Sequence, residues 1–174
     1  MRKKWIFALI TLIVILIATY VYLDREIIAL KTGRQLPIVW QYPYSDEIPI
    51  QLTEGNQTLS NPDVNLTPFY YLPETKQVHF GLWYKKWKYR GEDIAFAVFQ
   101  ISLEKENGDI TTQDAFAKMP RGVLDVFHYR HIPIDLANED SIKMTISLIE
   151  QQGRDRVPIE TATMTIPIQL VESE

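Results

Sequence analysis

The feature that most constrains this chain is an apolar segment close to its first residue. After the basic residues Arg2-Lys3-Lys4, no charged residue occurs from Trp5 to Leu23. A helix rises 1.5 Å per residue, so this segment extends about 28 Å, close to the roughly 30 Å hydrocarbon core of a bilayer. The sequence contains no second run of this kind. It therefore predicts one transmembrane anchor helix at residues 5–23, in contact with the lipid bilayer, followed by one domain.

The residues beside the apolar segment predict its orientation. Lysine and arginine favour the cytoplasmic side of a membrane, so residues 1–4 are expected to be a short basic tip in the cytoplasm. The C-terminal domain is then extracytoplasmic. A cleaved secretory signal is the alternative, but cleavage after small residues fits poorly, because Tyr20 lies two positions after Ala18. We therefore expect an uncleaved, single-pass signal anchor in the cell membrane.

Composition excludes several classes of partner. The chain has 18 basic and 22 acidic residues, so without the three basic residues of the tip the remainder carries a net charge of about −7. This balance argues against nucleic acid as a partner, because phosphate binding requires a basic surface. The chain has no cysteine, so an exported domain must be stabilised by packing alone. The absence of cysteine is compatible with a bacterial cell envelope.

The pattern after the anchor predicts a short helix and then a mainly β domain. Residues 24–35 are expected to form a juxtamembrane helical stalk, with Gly33 as its C-terminal cap. From Leu36 to Thr75 six prolines interrupt short apolar pieces, which excludes long helices. Residues 36–174 are therefore predicted to be the extracytoplasmic domain.

Alternating apolar residues from Lys76 onward predict strands. The alternation is clearest at residues 78–84, 142–148 and 162–168, and Asn107-Gly108 is typical of a hairpin turn. Gln113–Met119 is compatible with a short helix capped by Thr112. Seven or eight strands with little helix favour an antiparallel β-sandwich, immunoglobulin-like in outline. A partly open β-barrel is the alternative.

The best candidate for a binding surface is the segment 80–91, FGLWYKKWKYRG, which combines aromatic and basic residues in an acidic domain. If this segment is one strand, Trp83, Lys85, Trp87 and Tyr89 share a face, while Lys88 and Arg90 lie on the other. Aromatic rings and arginine are enriched in binding hot spots, and lysines attract phosphate groups. The alternative is structural: the tryptophans fill the core or its rim, and the cations solvate an edge strand.

Other combinations of residues give weaker indications. His128 and His131 are expected on opposite faces of a strand and on the surface or rim of the domain, and nothing in the sequence places His79 near them. The acidic loops 104–109 and 135–140 lack the spacing of a calcium loop and are typical of turns. No serine occurs in a nucleophile motif. We therefore predict no metal, no cofactor and no enzymatic activity.

Together these features predict a membrane-anchored interaction module that acts close to the membrane. Its expected partners are the bilayer itself, another membrane or envelope protein, or cell-wall polymer. Two other hypotheses remain open at this point. The domain is an anchored envelope enzyme, or it is a structural subunit of a secretion or transfer complex.

Overall fold

A computed structural model describes residues 2–40, 46–89, 98–152 and 155–168 of the chain. Two helices come first, α1 (Arg2–Leu23) and α2 (Arg25–Lys31). In the described residues ten strands follow: β1 (Ile50–Gln51), β2 (Gln57–Ser60), β3 (Asp63–Leu66), β4 (Tyr70–Leu72), β5 (Gln77–Lys85), β6 (Val98–Glu104), β7 (Ile110–Gln113), β8 (Asp125–Pro133), β9 (Ser141–Gln152) and β10 (Asp155–Pro167).

Helix α1 is long and apolar enough to cross a membrane. Its segment Lys4–Leu23 has a mean hydropathy of 2.7, and none of it is buried against the rest of the protein. Membrane anchors and signal sequences share this property. The predicted apolar helix is therefore present, and it stands outside the domain core.

The strands form two antiparallel sheets, which confirms the predicted mainly β architecture. In the first sheet β5 is central: β8 pairs with one edge, and β4 and β3 pair with the other. The second sheet has the order β10-β9-β6-β7. In the described residues the two sheets remain separate, so the alternative of a barrel is not observed.

One hydrophobic core lies between the two sheets. The alternation predicted for residues 78–84 and 142–148 places one face of β5 and one face of β9 in this core. Its contributors from three strands are Val78, Phe80, Leu82, Phe99, Ile101, Leu103, Ile142, Met144, Ile146 and Leu148. The predicted Asn107-Gly108 turn connects β6 to β7, and Gly108 has a φ of +88°, which glycine adopts without strain.

The predicted helix at Gln113–Met119 is wrong. Gln113 ends β7, and the residues after it lie along the free edge of β8. Ala117 donates to the carbonyl of Tyr129, and the Tyr129 N–H donates to the carbonyl of Lys118. These bonds satisfy backbone groups at a sheet edge, which a local helix would leave unpaired.

Candidate functional site

Asp24 fixes the end of the apolar helix to the β domain. The helical hydrogen bonds continue through it, because its N–H donates to Tyr20 and its carbonyl accepts from Ile28. The side chain is 1% exposed, and its carboxylate accepts a hydrogen bond of 2.6 Å from the Val123 N–H. Gly122 lies against the same carboxylate, with no room for a Cβ. The position of α1 relative to the loop before β8 is therefore set by a buried polar contact.

Helix α2 is packed on the outer face of the first sheet. Ile27 and Leu30 are buried against Trp83, Phe127 and Tyr129. The rings of Trp83 and Phe127 stack with 6.1 Å between their centroids. The segment 24–35, predicted as a stalk, contains a helix and a turn at Gly33. This helix is packed against the domain, so it does not hold the domain away from the end of α1.

Ion pairs surround this apolar contact. Asp125 is 1% exposed and receives Lys31 of α2 at 2.5 Å and Lys85 of β5 at 3.0 Å. Burial acts to raise the pKa of Asp125, but the hydrogen bonds from the two lysines outweigh it and lower the pKa. Glu26 accepts from the Tyr129 hydroxyl at 3.0 Å and pairs with Lys118. Lys31 and Glu26 of α2 therefore each have an oppositely charged partner in the domain.

The aromatic and basic segment does not present the single face that the sequence predicts. Strand β5 ends at Lys85 and the chain turns over residues 86–89, so the strand alternation stops there. Trp83 is only 8% exposed, beneath α2, as the structural alternative predicts. Tyr89 is half-buried and packs edge-on against Tyr84 and Phe99. Arg90 lies outside the described residues.

The lysines of this segment are engaged with neighbouring groups. Lys88 pairs with Asp63 across the turn. Lys85 also lies 5.6 Å from the centre of the Trp87 ring, in a cation–π arrangement. Trp87 itself is 57% exposed. Of the five predicted surface residues that the structure describes, Trp87 is the one that presents a large apolar group to solvent.

The turn that carries Trp87 is hydrogen-bonded to a second segment with exposed apolar residues. The N–H of the preceding residue, Lys86, donates to the Leu124 carbonyl at 2.9 Å, and the Lys86 ammonium donates to the carbonyl of Gly122. Val123 is 47% exposed and Leu124 is 39% exposed. We refer to Trp87, Val123 and Leu124 as the Trp87 patch. Because Val123 is bonded to Asp24, this patch lies beside the end of α1.

Sequence reasoning did not identify Val123 and Leu124. From the sequence, residues 123–134 are predicted to form one strand, whereas β8 begins at Asp125. The signal that was available is a pair of apolar residues preceded by Arg121-Gly122. Their exposure depends on the turn at residues 122–124, which the contact with Asp24 holds in place.

His128 and His131 lie on opposite faces of β8, as predicted, but the burial of two histidines differs from the prediction. His79 and His131 are directly opposed on β5 and β8, and their rings stack with 5.7 Å between centroids. His79 and His128 are each 1% exposed, so the expectation of surface or rim histidines is wrong for both. Burial lowers the pKa of His79 to about 4 and, with the nearby Arg130, that of His128 to about 3. Both rings are therefore neutral at physiological pH.

Ion pairs and a hydrogen bond link the acidic loops 104–109 and 135–140 to each other and to a neighbouring lysine. Glu139 pairs with Lys105 at 3.7 Å and accepts from the Glu106 N–H at 3.1 Å. Asp135 pairs with Lys76 at 2.6 Å. In the part of the chain that the structure describes, no three histidine, aspartate or glutamate residues are grouped as metal ligands. The loop 135–140 connects β8 of the first sheet to β9 of the second, at the end of β8 that is opposite to the Trp87 patch, and the loop 104–109 connects β6 to β7 within the second sheet.

Comparison with known proteins supplies no family for this chain. No protein-family model matches it, and no curated protein and no solved structure matches it. A function is therefore proposed from the arrangement of α1, the Trp87 patch and the domain.

Proposed function

We propose that this chain is a single-pass membrane protein whose β domain is an extracytoplasmic binding module that lies directly on the membrane surface. The observation that carries the proposal is the contact of Asp24 with Val123, which joins the end of an apolar helix to an exposed apolar patch. Anchoring accounts for the exposure of α1, because a helix that is apolar on all sides is unstable in water.

The orientation follows from the charges that flank α1. Arg2-Lys3-Lys4 precede the apolar segment and favour the cytoplasm, so the domain after Asp24 lies on the opposite side. Arg25 follows the helix, and its guanidinium lies 5.4 Å from the centre of the Tyr22 ring. Tyrosine and arginine at this position are typical of the membrane–water interface.

Single-cysteine labelling is expected to reveal this topology cleanly, because the natural chain has no cysteine. In spheroplasts, a membrane-impermeant maleimide should label Glu54→Cys, on the exposed side of the domain, without permeabilisation. It should label Arg2→Cys only after the membrane is opened. Both variants should remain in the membrane pellet after alkaline extraction. Release of a shortened chain into the medium would indicate a cleaved signal and contradict the proposal, as would the reverse labelling pattern.

The Trp87 patch has the composition of a membrane-interface surface. Tryptophan is enriched at the level of the headgroups, and aliphatic side chains beside it bury apolar area there. Lys86 and Arg121 adjoin the patch in the sequence, and a lysine or arginine near an anionic leaflet contributes about 1 kcal/mol. The same patch in water would expose three large apolar side chains without a partner. The membrane in which α1 is embedded provides that partner.

Depth measurements are expected to place the patch in the headgroup region. Nitroxide labels at Leu124→Cys in lipid nanodiscs should be more accessible to oxygen and less accessible to a water-soluble nickel complex. Ile110→Cys is the matched control, because Ile110 is 61% exposed and follows a turn bonded to Glu139, beyond the far end of β8. Strand β8 places about 30 Å between the two ends. Equal nickel accessibility at both sites would rule out contact of the patch with the membrane.

A further inference from the structure

A cavity of about 500 Å³ opens between the two sheets. Its lining comes from four parts of the chain: the start of β6, the segment before β8, β8 itself and the start of β10. The lining residues are Val98, Asp114, Phe116, Met119, Arg121, Arg130 and Arg156. Cavities of this size are typical of sites for small molecules.

Arg130 is the most constrained of the lining residues. It is 2% exposed, and its two terminal nitrogens donate to the carbonyls of Asp114, Ala115 and Phe99 and contact His128 Nδ1 at 3.2 Å. All of these acceptors are neutral. The remaining donor, Nε, is buried without a hydrogen-bond partner in the described structure. The guanidinium is thus oriented by the protein, but its charge is not neutralised by these contacts.

Burial makes this charge costly. It lowers the pKa of Arg130 to about 10, which still leaves the group protonated at neutral pH. His128 is neutral in the folded protein, so the carboxylate that acts against this effect of burial is that of Asp114, which also pairs with Arg156. A buried cation is stabilised mainly by an anion close to it.

The other charged residues of the cavity add to its positive potential. Arg121 and Arg156 contribute two more cations, whereas Asp114 contributes one carboxylate, which pairs with Arg156. The lining residues therefore include three guanidinium groups and one carboxylate, in a chain whose net charge is −4. Val98, Phe116 and Met119 make the rest of the lining apolar. Phe116 also lies against Arg130, with 5.9 Å from the guanidinium to the ring centre.

We propose that this cavity binds a small organic anion, a carboxylate or phosphate group carried on an apolar body. The anionic group lies among the arginines, and the apolar part contacts Val98, Phe116 and Met119. The proposal gives the binding module a ligand class, but it does not depend on membrane anchoring. Its ligand reaches the cavity in either topology.

Binding of matched probes tests the ligand class. The full chain in nanodiscs of neutral lipid is titrated with hexanoate, hexyl phosphate, inorganic phosphate and 1-hexanol, with empty nanodiscs as the blank. Charge-assisted hydrogen bonds favour the two hexyl anions over 1-hexanol by about tenfold or more in Kd. A preference between hexanoate and hexyl phosphate identifies the anionic group, and weaker binding of inorganic phosphate shows the contribution of the apolar part. Equal binding of 1-hexanol and hexanoate, or no binding of either hexyl anion, overturns the proposal.

Charge variants locate the site. Arg130→Met is unsuitable as the main variant, because Arg130 also holds the backbone at Asp114 and Ala115. Arg156 is half-exposed, so Arg156→Gln is expected to preserve folding and to weaken hexanoate binding by about tenfold. Asp114→Asn removes the one carboxylate of the lining and should strengthen binding.

The control is Lys143→Gln. Lys143 is likewise a half-exposed cation paired with a carboxylate, Glu104, but it lies outside the cavity. Its substitution should leave the Kd unchanged. Equal affinities of Arg156→Gln and Lys143→Gln, in proteins with the same melting temperature, would overturn the assignment of the cavity.

Discussion

Replacing Gly81 with alanine is expected to destabilise the domain by about 3 kcal/mol. A Cβ at this position would lie 2.1 Å from Phe127 Cζ and 2.8 Å from Thr67 Cγ2, far inside van der Waals contact. Thr67 is not free to withdraw, because its hydroxyl accepts the Gly81 N–H at 2.8 Å. Phe127 is fully buried beneath α2. Urea unfolding of the full chain in neutral detergent, followed by tryptophan fluorescence, measures this loss.

A second substitution tests whether the loss of stability comes from the clash with Phe127 or from a change in strand β5 that is independent of this clash. Phe127→Leu in the Gly81→Ala background removes the clashing end of the ring, so the two costs should combine to less than their sum by at least about 1 kcal/mol. Gly55→Asn is the control, because Gly55 has a φ of +65°, which asparagine tolerates, and nothing lies within 4 Å of its missing Cβ. Additive costs for Gly81 and Phe127 would exclude the contact between them as the cause.

Strand β5, which contains Gly81, shows why the fold was predictable from the sequence and the packing of α2 was not. Alternation at Val78, Phe80 and Leu82 indicates one buried face of β5, and that face is in the core. The opposite face consists of His79, Gly81 and Trp83. This mixture of polar, small and aromatic residues does not indicate that another element packs on it. It is buried because a helix distant in sequence lies on it, and alternation within a strand carries no information about that contact.

The candidate sites were difficult to predict for a related reason: the sequence of one strand does not show which residues of another strand will lie opposite to it. His79 and His131 are directly opposed only because β8 pairs with β5 over nine residues. The cavity brings together Asp114, Arg130 and Arg156 from three separate elements. No spacing in the sequence marks these three as neighbours, whereas the conspicuous residues 83–89 are divided between the interior and the surface by the end of β5.

Acid is expected to destabilise the protein at a pH where its carboxylates are still ionised. Between pH 7 and pH 5 we expect the free energy of unfolding to fall by about 2 kcal/mol for each of His79 and His128. Burial lowers their folded-state pKa values from 6.5 to about 4 and about 3. Below pH 6.5 the unfolded chain therefore takes up protons that the folded chain cannot. The loss begins near pH 6.5 and continues until each folded-state pKa is reached.

The surroundings of the two rings support this sign. His79 stacks on His131, whose pKa is also lowered by burial, and its Nε2 contacts Gln77 at 3.1 Å. His128 is surrounded by aromatic rings and lies 3.2 Å from a terminal nitrogen of Arg130. In the described part of the chain, no carboxylate contacts either ring to stabilise an imidazolium. The pKa values of Asp114 and Asp125 are lowered, so protonation of these two carboxylates reduces stability only at a pH below 5.

Urea titrations at pH 7, 6 and 5 on three proteins resolve the two contributions. His79→Phe preserves a stacked ring beside His131, and His128→Phe preserves the aromatic cluster while removing an acceptor from Arg130. Each variant should lose about 2 kcal/mol of the fall in the free energy of unfolding between pH 7 and pH 5, even if it is less stable than the natural chain at pH 7. His131, whose pKa is also lowered by burial, contributes to the part that remains. A pH dependence that is unchanged in both variants would show that other groups take up the protons. If the imidazoles are the cause, the three proteins differ little in the same comparison between pH 8 and pH 7, because most of the rings are then neutral in both the folded and the unfolded chain.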